Sequence, residues 1–252
     1  MIADLHTHTI LSCDAHATME GYLLQAEKNC VDLFCITEHV DYNPLDWGFG
    51  FYDPDGYFKK LNAFKNQYRG TVQILAGLEF SEPHEHPDEL AFLSRTYSYD
   101  CIIGSIHWAN NLFPAYGEAV DAKAYFEVYW KSVLKTAKCG GFDTLGHLDF
   151  PKRYYKELWY RESDIREICK YLVQNEIALE INTSALRKGL SETMPGKELL
   201  MIYRDVGGTF VTVGSDAHDD KDLAADNSVS KQLIQSLGLQ EVIYIGRKQF
   251  VI

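Results

Sequence analysis

The sequence predicts an α/β protein, a closed or nearly closed β/α barrel formed by residues 1–252 as a single domain. Short apolar runs alternate from end to end with longer amphipathic ones, as strands buried on both faces of a parallel sheet alternate with helices. No internal repeat, low-complexity tract or Pro/Gly/Ser-rich linker breaks the alternation. A length of 252 residues is usual for one such barrel.

The strand runs are Ile2–Leu5, Leu33–Thr37, Gln73–Leu78, Cys101–Ser105, Thr144–Gly146, Ala178–Ile181 and Phe210–Gly214. A last run, Glu241–Tyr244, belongs to the same sheet or to its rim. Helices are expected from a Thr18 cap through Asn29, from Asp55 through Tyr68, and over Ala122–Cys139 at helical spacing. Three more run over Ser163–Asn175, where a Ser precedes an acidic first turn, Pro195–Tyr203 and Ser228–Leu237. Asp41–Tyr57, dense in aromatics, Gly and Pro, reads as a long loop too aromatic for disorder.

The formal net charge is −12, which repels phosphate backbones at long range and argues against nucleic-acid partners. Six cysteines form no CxxC pair and read as thiols of a reducing compartment. The start Met1–His6 has no basic stretch before an apolar run, and no segment is long enough to span a membrane, so the expected location is the cytoplasm.

The chemistry emerges from position. The polar residues that follow the strand runs are His6 and His8, with Asp14 in the next loop; then Glu38 and His39, Glu79, His107, His147, and finally Asp216 and His218. Strand ends of a β/α barrel converge on one face, where active sites are built. Six of the nine histidines fall in register with the strand pattern. Imidazole with carboxylate is a ligand mixture suited to zinc, iron or manganese. His6-Thr7-His8 on an extended strand puts both rings on one side. Glu79 ends an apolar strand, where a bare charge is costly unless paired or metal-bound. His16 competes with Asp14 for a place, and His84 and His86, beside Pro83 and Pro87, read as loop residues near the mouth.

These stretches are similar to one family. Asp4-Leu5-His6-Thr7-His8-Thr9, Ile36-Thr37-Glu38-His39-Val40-Asp41-Tyr42 and Gly77-Leu78-Glu79-Phe80 resemble the polymerase and histidinol phosphatase (PHP) family. So do Ile103-Gly104-Ser105-Ile106-His107, Leu145-Gly146-His147-Leu148-Asp149 and Gly214-Ser215-Asp216-Ala217-His218. The segments 148–154 and 179–187 look most like the monofunctional histidinol-phosphate phosphatases. The resemblance covers nearly the whole chain.

It implies a distorted seven-stranded β/α barrel of TIM-barrel type and three divalent metal ions (zinc, iron or manganese). One ion would take His6, His8, Glu79 and Asp216. A second would share Glu79 and take His107 and His147, and a third would take Asp14, His39 and His218. The implied reaction is hydrolysis of L-histidinol phosphate to L-histidinol and phosphate, in histidine biosynthesis. Segment 81–87 is richer in His and acid than the family pattern and 110–123 differs from it, which leaves the substrate open.

Such chemistry uses metal-activated hydroxide attacking phosphorus in line. Arg153 and Arg187, each after a strand and a short loop, are expected to clamp the phosphate. Asp216 and His218 are further candidate catalytic groups, and His39 and Tyr116 candidate substrate contacts. Asp41, Tyr42, Glu82 or Tyr116 would receive the amine and imidazole of the alcohol. Two alternatives stand beside this reading. One is a PHP-family phosphoesterase acting on another small ester or nucleotide; the other is a metal-binding module without turnover.

Overall fold

A computed structural model describes residues 1–115 and 121–252. Seven parallel strands, β1 (Ala3–Thr7), β2 (Leu33–Val40), β3 (Gln73–Ser81), β4 (Cys101–Ser105), β5 (Thr144–Leu145), β6 (Ala178–Asn182) and β7 (Phe210–Gly214), lie side by side in sequence order. The helices between them are α1 (Met19–Asn29), α2 (Pro54–Gln67), α3 (Pro87–Thr96), α4 (Ala122–Cys139), α5 (Lys152–Tyr155), α6 (Glu162–Gln174), α7 (Ser184–Arg187) and α8 (Lys197–Asp205). After β7 come a 3-10 turn (Asp220–Asp222), α9 (Asn227–Leu237) and the strands β8 (Gln240–Ile245) and β9 (Lys248–Val251).

The seven strands close on themselves. Thr7 bridges Ala217 in parallel, with Asp216 N donating to His6 O at 2.8 Å and His8 N to Ala217 O at 2.9 Å. The Tyr22 hydroxyl lies 2.7 Å from the carbonyls of both His8 and Ala217 across this seam, donating to one at a time. The expected strand count of seven therefore describes the barrel, while the whole sheet has nine strands. β8 joins β7 through two residue pairs and turns back antiparallel into β9. Val242, Ile243 and Tyr244 of β8 pack with Ala3, Leu5, Leu33, Cys35, Leu75, Cys101 and Ala178 in one cluster at the N-terminal ends of the strands. The opposite faces, with Phe34, Ile36, Ile74 and Ile102, pack beneath the helices.

Several boundaries move for physical reasons. β2 and β3 run on to Val40 and Ser81, so Glu38, His39 and Glu79 lie within strands, not after them. Apolarity stops where the metal-type side chains begin; the backbone ladder continues, pairing His39 with Glu79. α2 begins at Pro54 with Asp53 capping Gly56 N, because Pro at the first helical position and Asp before it satisfy that end. α6 begins at Glu162 after Arg161, with Ser163 already inside its first turn. α8 starts at Lys197 and α9 at Asn227. α3, α5, α7 and β9 had no sequence expectation. α5 and α7 are single turns of four residues, too short for a period to register.

Candidate metal centre

The C-terminal ends of the strands carry one buried cluster. The pairing of β1 with β2 shifts register between Asp4 and Thr7, and such an irregularity re-aims side chains. Leu5 stays in the apolar cluster below, whereas the rings of His6 and His8 stand 5.0 Å apart in the polar layer above. Glu79 is at the centre, only 1% exposed. Its Oε2 lies 3.2 Å from His6 Nε2, 3.5 Å from His8 Nε2 and 2.8 Å from His39 Nδ1. Its Oε1 lies 2.9 Å from His147 Nε2 and 3.4 Å from His107 Nε2.

Asp216 Oδ1 lies 3.6 Å from His8 Nε2 and 4.0 Å from His6 Nε2. Asp14 lies 3.6 Å from His39 Nε2 and 3.3 Å from His218 Nε2. All nine side chains expected to bind metal thus meet in one cluster, with the groups overlapping: His8 also stands beside His39 and His218, and His6 beside Glu79 and His147. His16 is exposed; Asp14, not His16, reaches the imidazoles. The Asp14 and His218 side chains keep 29% and 28% exposure against 1% for Glu79, so the third group faces the mouth.

These residues fit divalent cations. His6 Nε2, His8 Nε2, His39 Nδ1, Asp14 Oδ1 and Glu79 Oε2 are buried and crowd within ion-pair reach of facing groups without forming a hydrogen bond of normal geometry, a costly arrangement without a ligand. In three subsets the ligating atoms lie within 4.8 Å of one another: His8, His39 and His218; His6, His8 and Asp216; His6, Glu79 and His147. The charge balance agrees. Burial opposes ionisation of Glu79, yet the facing imidazoles of His6, His39 and His107 hold its carboxyl well below the usual range. Burial also works against a charged His39, but Glu79 raises it to about 9. Burial pushes His8 and His147 towards the neutral, ligating form. Cations entering the cluster would displace the protons that now offset the acids.

A supporting layer fixes these groups. Glu180 Oε1 lies 2.6 Å from His6 Nδ1, and its Oε2 accepts His147 N at 2.6 Å and Asn182 Nδ2 at 3.2 Å. A Cβ on Gly214 would fall 2.3 Å from Glu180 Oε1 and 2.4 Å from His6 Cβ, so only glycine allows that approach. Ser105 Oγ donates to Glu79 Oε1 at 2.6 Å. Ser81 Oγ donates to Asp41 Oδ1 at 2.6 Å and lies 2.9 Å from His107 Nδ1. Asp4 accepts the backbone N–H groups of Ser215 and Ala224, holding the turn in which Asp216 takes a positive φ of 54°. A non-glycine residue there is strained, as at many functional sites.

Glu180→Gln should lower zinc affinity roughly 10- to 100-fold, the usual cost of losing such an orienting partner. Competition with a chromophoric chelator measures it, and unchanged affinity would exclude the orienting role.

Arg153 sits on α5 at the rim. Its Nη2 donates to Asp216 Oδ2 and Ser184 Oγ, both at 2.6 Å, and its Nε is buried with no hydrogen-bond partner. α5 is anchored by the buried Lys152 Nζ, 2.7 Å from Asp149 Oδ2 and 3.1 Å from Thr193 O. Arg187 approaches from the Ser215 side. Its Nη2 donates to Ser215 O at 2.5 Å, and it does not line the cleft over the cluster. Its Nη1 is buried without a partner.

Tyr116 lies outside the described residues. Tyr42 packs on Phe80 and His86, away from the cleft. Glu82 is buried, accepting His107 N and Trp108 N. Of the four residues expected to meet the alcohol, Asp41 alone lines the cleft among the described residues. His84 packs against Thr136 of α4.

The cleft has a volume of about 100 Å³ and is also lined by Cys13, Asp46, Trp47, Phe113, Phe150 and Tyr154. A larger cleft of about 600 Å³ opens at the other end of the barrel, between Asp143, Tyr203, Tyr244 and Arg247, with no imidazole among its described lining. Chemistry, not size, marks the functional end. The sequence reading missed Glu180, although a carboxylate inside the apolar run Ala178–Ile181 is the same cue that marked Glu79. No helix of the described residues is long and apolar enough to cross a membrane.

Comparison with known proteins shows the family. The family described as PHP domain matches residues 4–184. A "probable histidinol-phosphatase" of Clostridium acetobutylicum is 31% identical over 260 residues, covering 98% of each chain. One of Thermotoga maritima is 30% identical over 246 residues, covering 97% of this chain and 96% of its own. In fold, the chain matches the histidinol phosphate phosphatase of Lactococcus lactis, solved with zinc, L-histidinol and phosphate. The TM-score is 0.85 at 22% identity, over 99% of this chain and 98% of that one. Motif order, fold and near full-length similarity lead to one conclusion: the chain belongs to the PHP family.

Proposed function

We propose that the chain, acting as one domain over residues 1–252, is a metal-dependent phosphomonoesterase that hydrolyses L-histidinol phosphate to L-histidinol and phosphate. The observation that carries the reading is the convergence of eight histidine and aspartate side chains with Glu79 in one cluster, several with buried ligating atoms that make no hydrogen bond. His6, His8, Glu79 and Asp216 would hold one divalent ion. Glu79, His107 and His147 would hold a second, and Asp14, His39 and His218 a third. Zinc, iron and manganese suit these donors; zinc in the Lactococcus relative favours zinc here.

Such ions supply Lewis acidity and a water acidic enough to serve as nucleophile near neutral pH. The protein's own groups do the positioning. Arg153 presents Nε and the rest of its fork to the equatorial phosphate oxygens while Asp216 and Ser184 hold Nη2 in place. Arg187, outside the cleft lining, would become a second phosphate contact if its buried, unpartnered Nη1 reached in from the Ser215 side. Glu180 fixes the His6 tautomer, so that Nε2 faces the cluster. His39 and His218 stand at the mouth, where the ester enters.

The small cleft and the charge of −12 disfavour polynucleotides. Six unpaired cysteines suit a reducing cytoplasm.

Phosphate release from L-histidinol phosphate and a panel of monoesters, after chelation and again with zinc or manganese restored, tests the reading. Activity should vanish on chelation, return with metal and be highest on L-histidinol phosphate. Full activity in chelator, or preference for another ester, would refute it.

A further inference from the structure

The loop of residues 41–53, between β2 and α2, roofs one side of the cleft. Its tip carries Trp47, which is 74% exposed although it lines the site. An indole left in water at the edge of a cleft is a surface for stacking. The neighbouring Asp46 is held rigidly. Its Oδ2 accepts Trp108 Nε1 at 2.6 Å and its Oδ1 accepts Gly48 N at 2.6 Å. Gly48 seats the loop on the floor, because a Cβ there would lie 2.7 Å from Asp41 Oδ2 and 3.3 Å from Cys13 Sγ.

Four acids, Asp14, Asp41, Asp46 and Asp216, line one small cleft, and Asp216 is tied to Arg153 and His8. Asp14 faces His39 and His218, and Asp41 is committed to Ser81 and the His107 side. Asp46 is the acid of this group with no imidazole beside it, bonded instead to neutral N–H groups. The cleft is more than an acidic patch. His147 and Arg153 form part of its lining, and the buried His147 Nδ1 and Arg153 Nε have no hydrogen-bond partner. Phe113 and Tyr154 add further aromatic wall.

We propose that Asp46 and Trp47 select the alcohol half of the substrate, favouring phosphate esters whose leaving group carries both an ammonium and a flat ring. Asp46 receives the ammonium and Trp47 stacks on the ring. An ester with a neutral alcohol meets the same negative charge with nothing to offset it. This assignment rests on the phosphatase reading and names the residues that set its specificity.

The test compares kcat/KM of the metal-loaded enzyme on three esters: L-histidinol phosphate, phenyl phosphate (a ring without ammonium) and ethanolamine phosphate (ammonium without a ring). Asp46→Asn should lower the ratio of L-histidinol phosphate to phenyl phosphate by about 10- to 100-fold, the scale of a charged hydrogen bond. Asp46→Glu, which keeps the charge, should recover most of it. Trp47→Ala should lower the ratio of L-histidinol phosphate to ethanolamine phosphate by roughly 2- to 10-fold, the scale of a paired aromatic contact. Ratios equal to those of the unaltered enzyme, whatever the absolute rates, would overturn the assignment. Failure of the unaltered enzyme to hydrolyse L-histidinol phosphate while it hydrolyses the other esters would instead overturn the reading beneath it.

Discussion

Glu79→Gln should reduce phosphate release by about 10³-fold or more and strip metal from two of the three groups. The substitution keeps the size of the side chain and removes its charge. Glu79 faces five imidazoles, His6, His8 and His39 through Oε2 and His107 and His147 through Oε1. On the proposed ligand assignment one carboxylate would serve two sites, and amide oxygen is a poor substitute at either. Loss of a single group that stabilises developing charge commonly costs 10²- to 10³-fold, so a shared one is expected at or beyond the top of that range. Elemental analysis by plasma mass spectrometry beside kcat decides it. A variant with its full metal complement and near-normal turnover would remove Glu79 from the centre.

Arg153→Ala should lower kcat/KM by about 10²- to 10³-fold, the cost of losing one preorganised donor to a developing anion. Two effects combine here. The guanidinium would clamp the phosphate, and it also braces Asp216 through a 2.6 Å contact. Arg153→Lys separates them: ammonium restores a point charge but not the planar fork, so an intermediate loss is expected. Steady-state kinetics with all three enzymes checks this, and an alanine variant within threefold of normal would exclude the clamp. Arg187, tied to Ser215 O, should show the smaller effect of the two arginines.

Much of this centre was legible beforehand for a definite reason. Imidazoles and carboxylates at the ends of apolar runs are rare in ordinary cores because they are costly there. Their placement at the ends of six of the seven barrel strand runs therefore reads as a rim even in one dimension. The strand positions were legible through the same contrast, which is also why β2 and β3 were cut short: polarity at His39 and Glu79 looked like the end of a strand whose backbone continues. Glu180 carried the same cue as Glu79 but escaped because it stands within its run and not at the end, where the rim was sought. Asp46 and Trp47 escaped because a loop has no period, and nothing local says which way it folds. Arg187 was read from its place after a strand, but its direction depends on the carbonyl of Ser215, which is 28 residues away.

By itself, then, the sequence determined the kind of chemistry this protein carries and the side of the strands on which it lies. Residue type and burial pattern are local properties, and they repeat with the strand period. The tertiary structure alone decided that Asp216 closes against His6 across the β1–β7 seam, that Glu180 rather than solvent meets the far nitrogen of His6, and that Trp47 overhangs the cleft. Those contacts join residues far apart along the chain. Their distances are set by closure of the sheet and by glycines that let side chains touch, neither of which has a signature in local order.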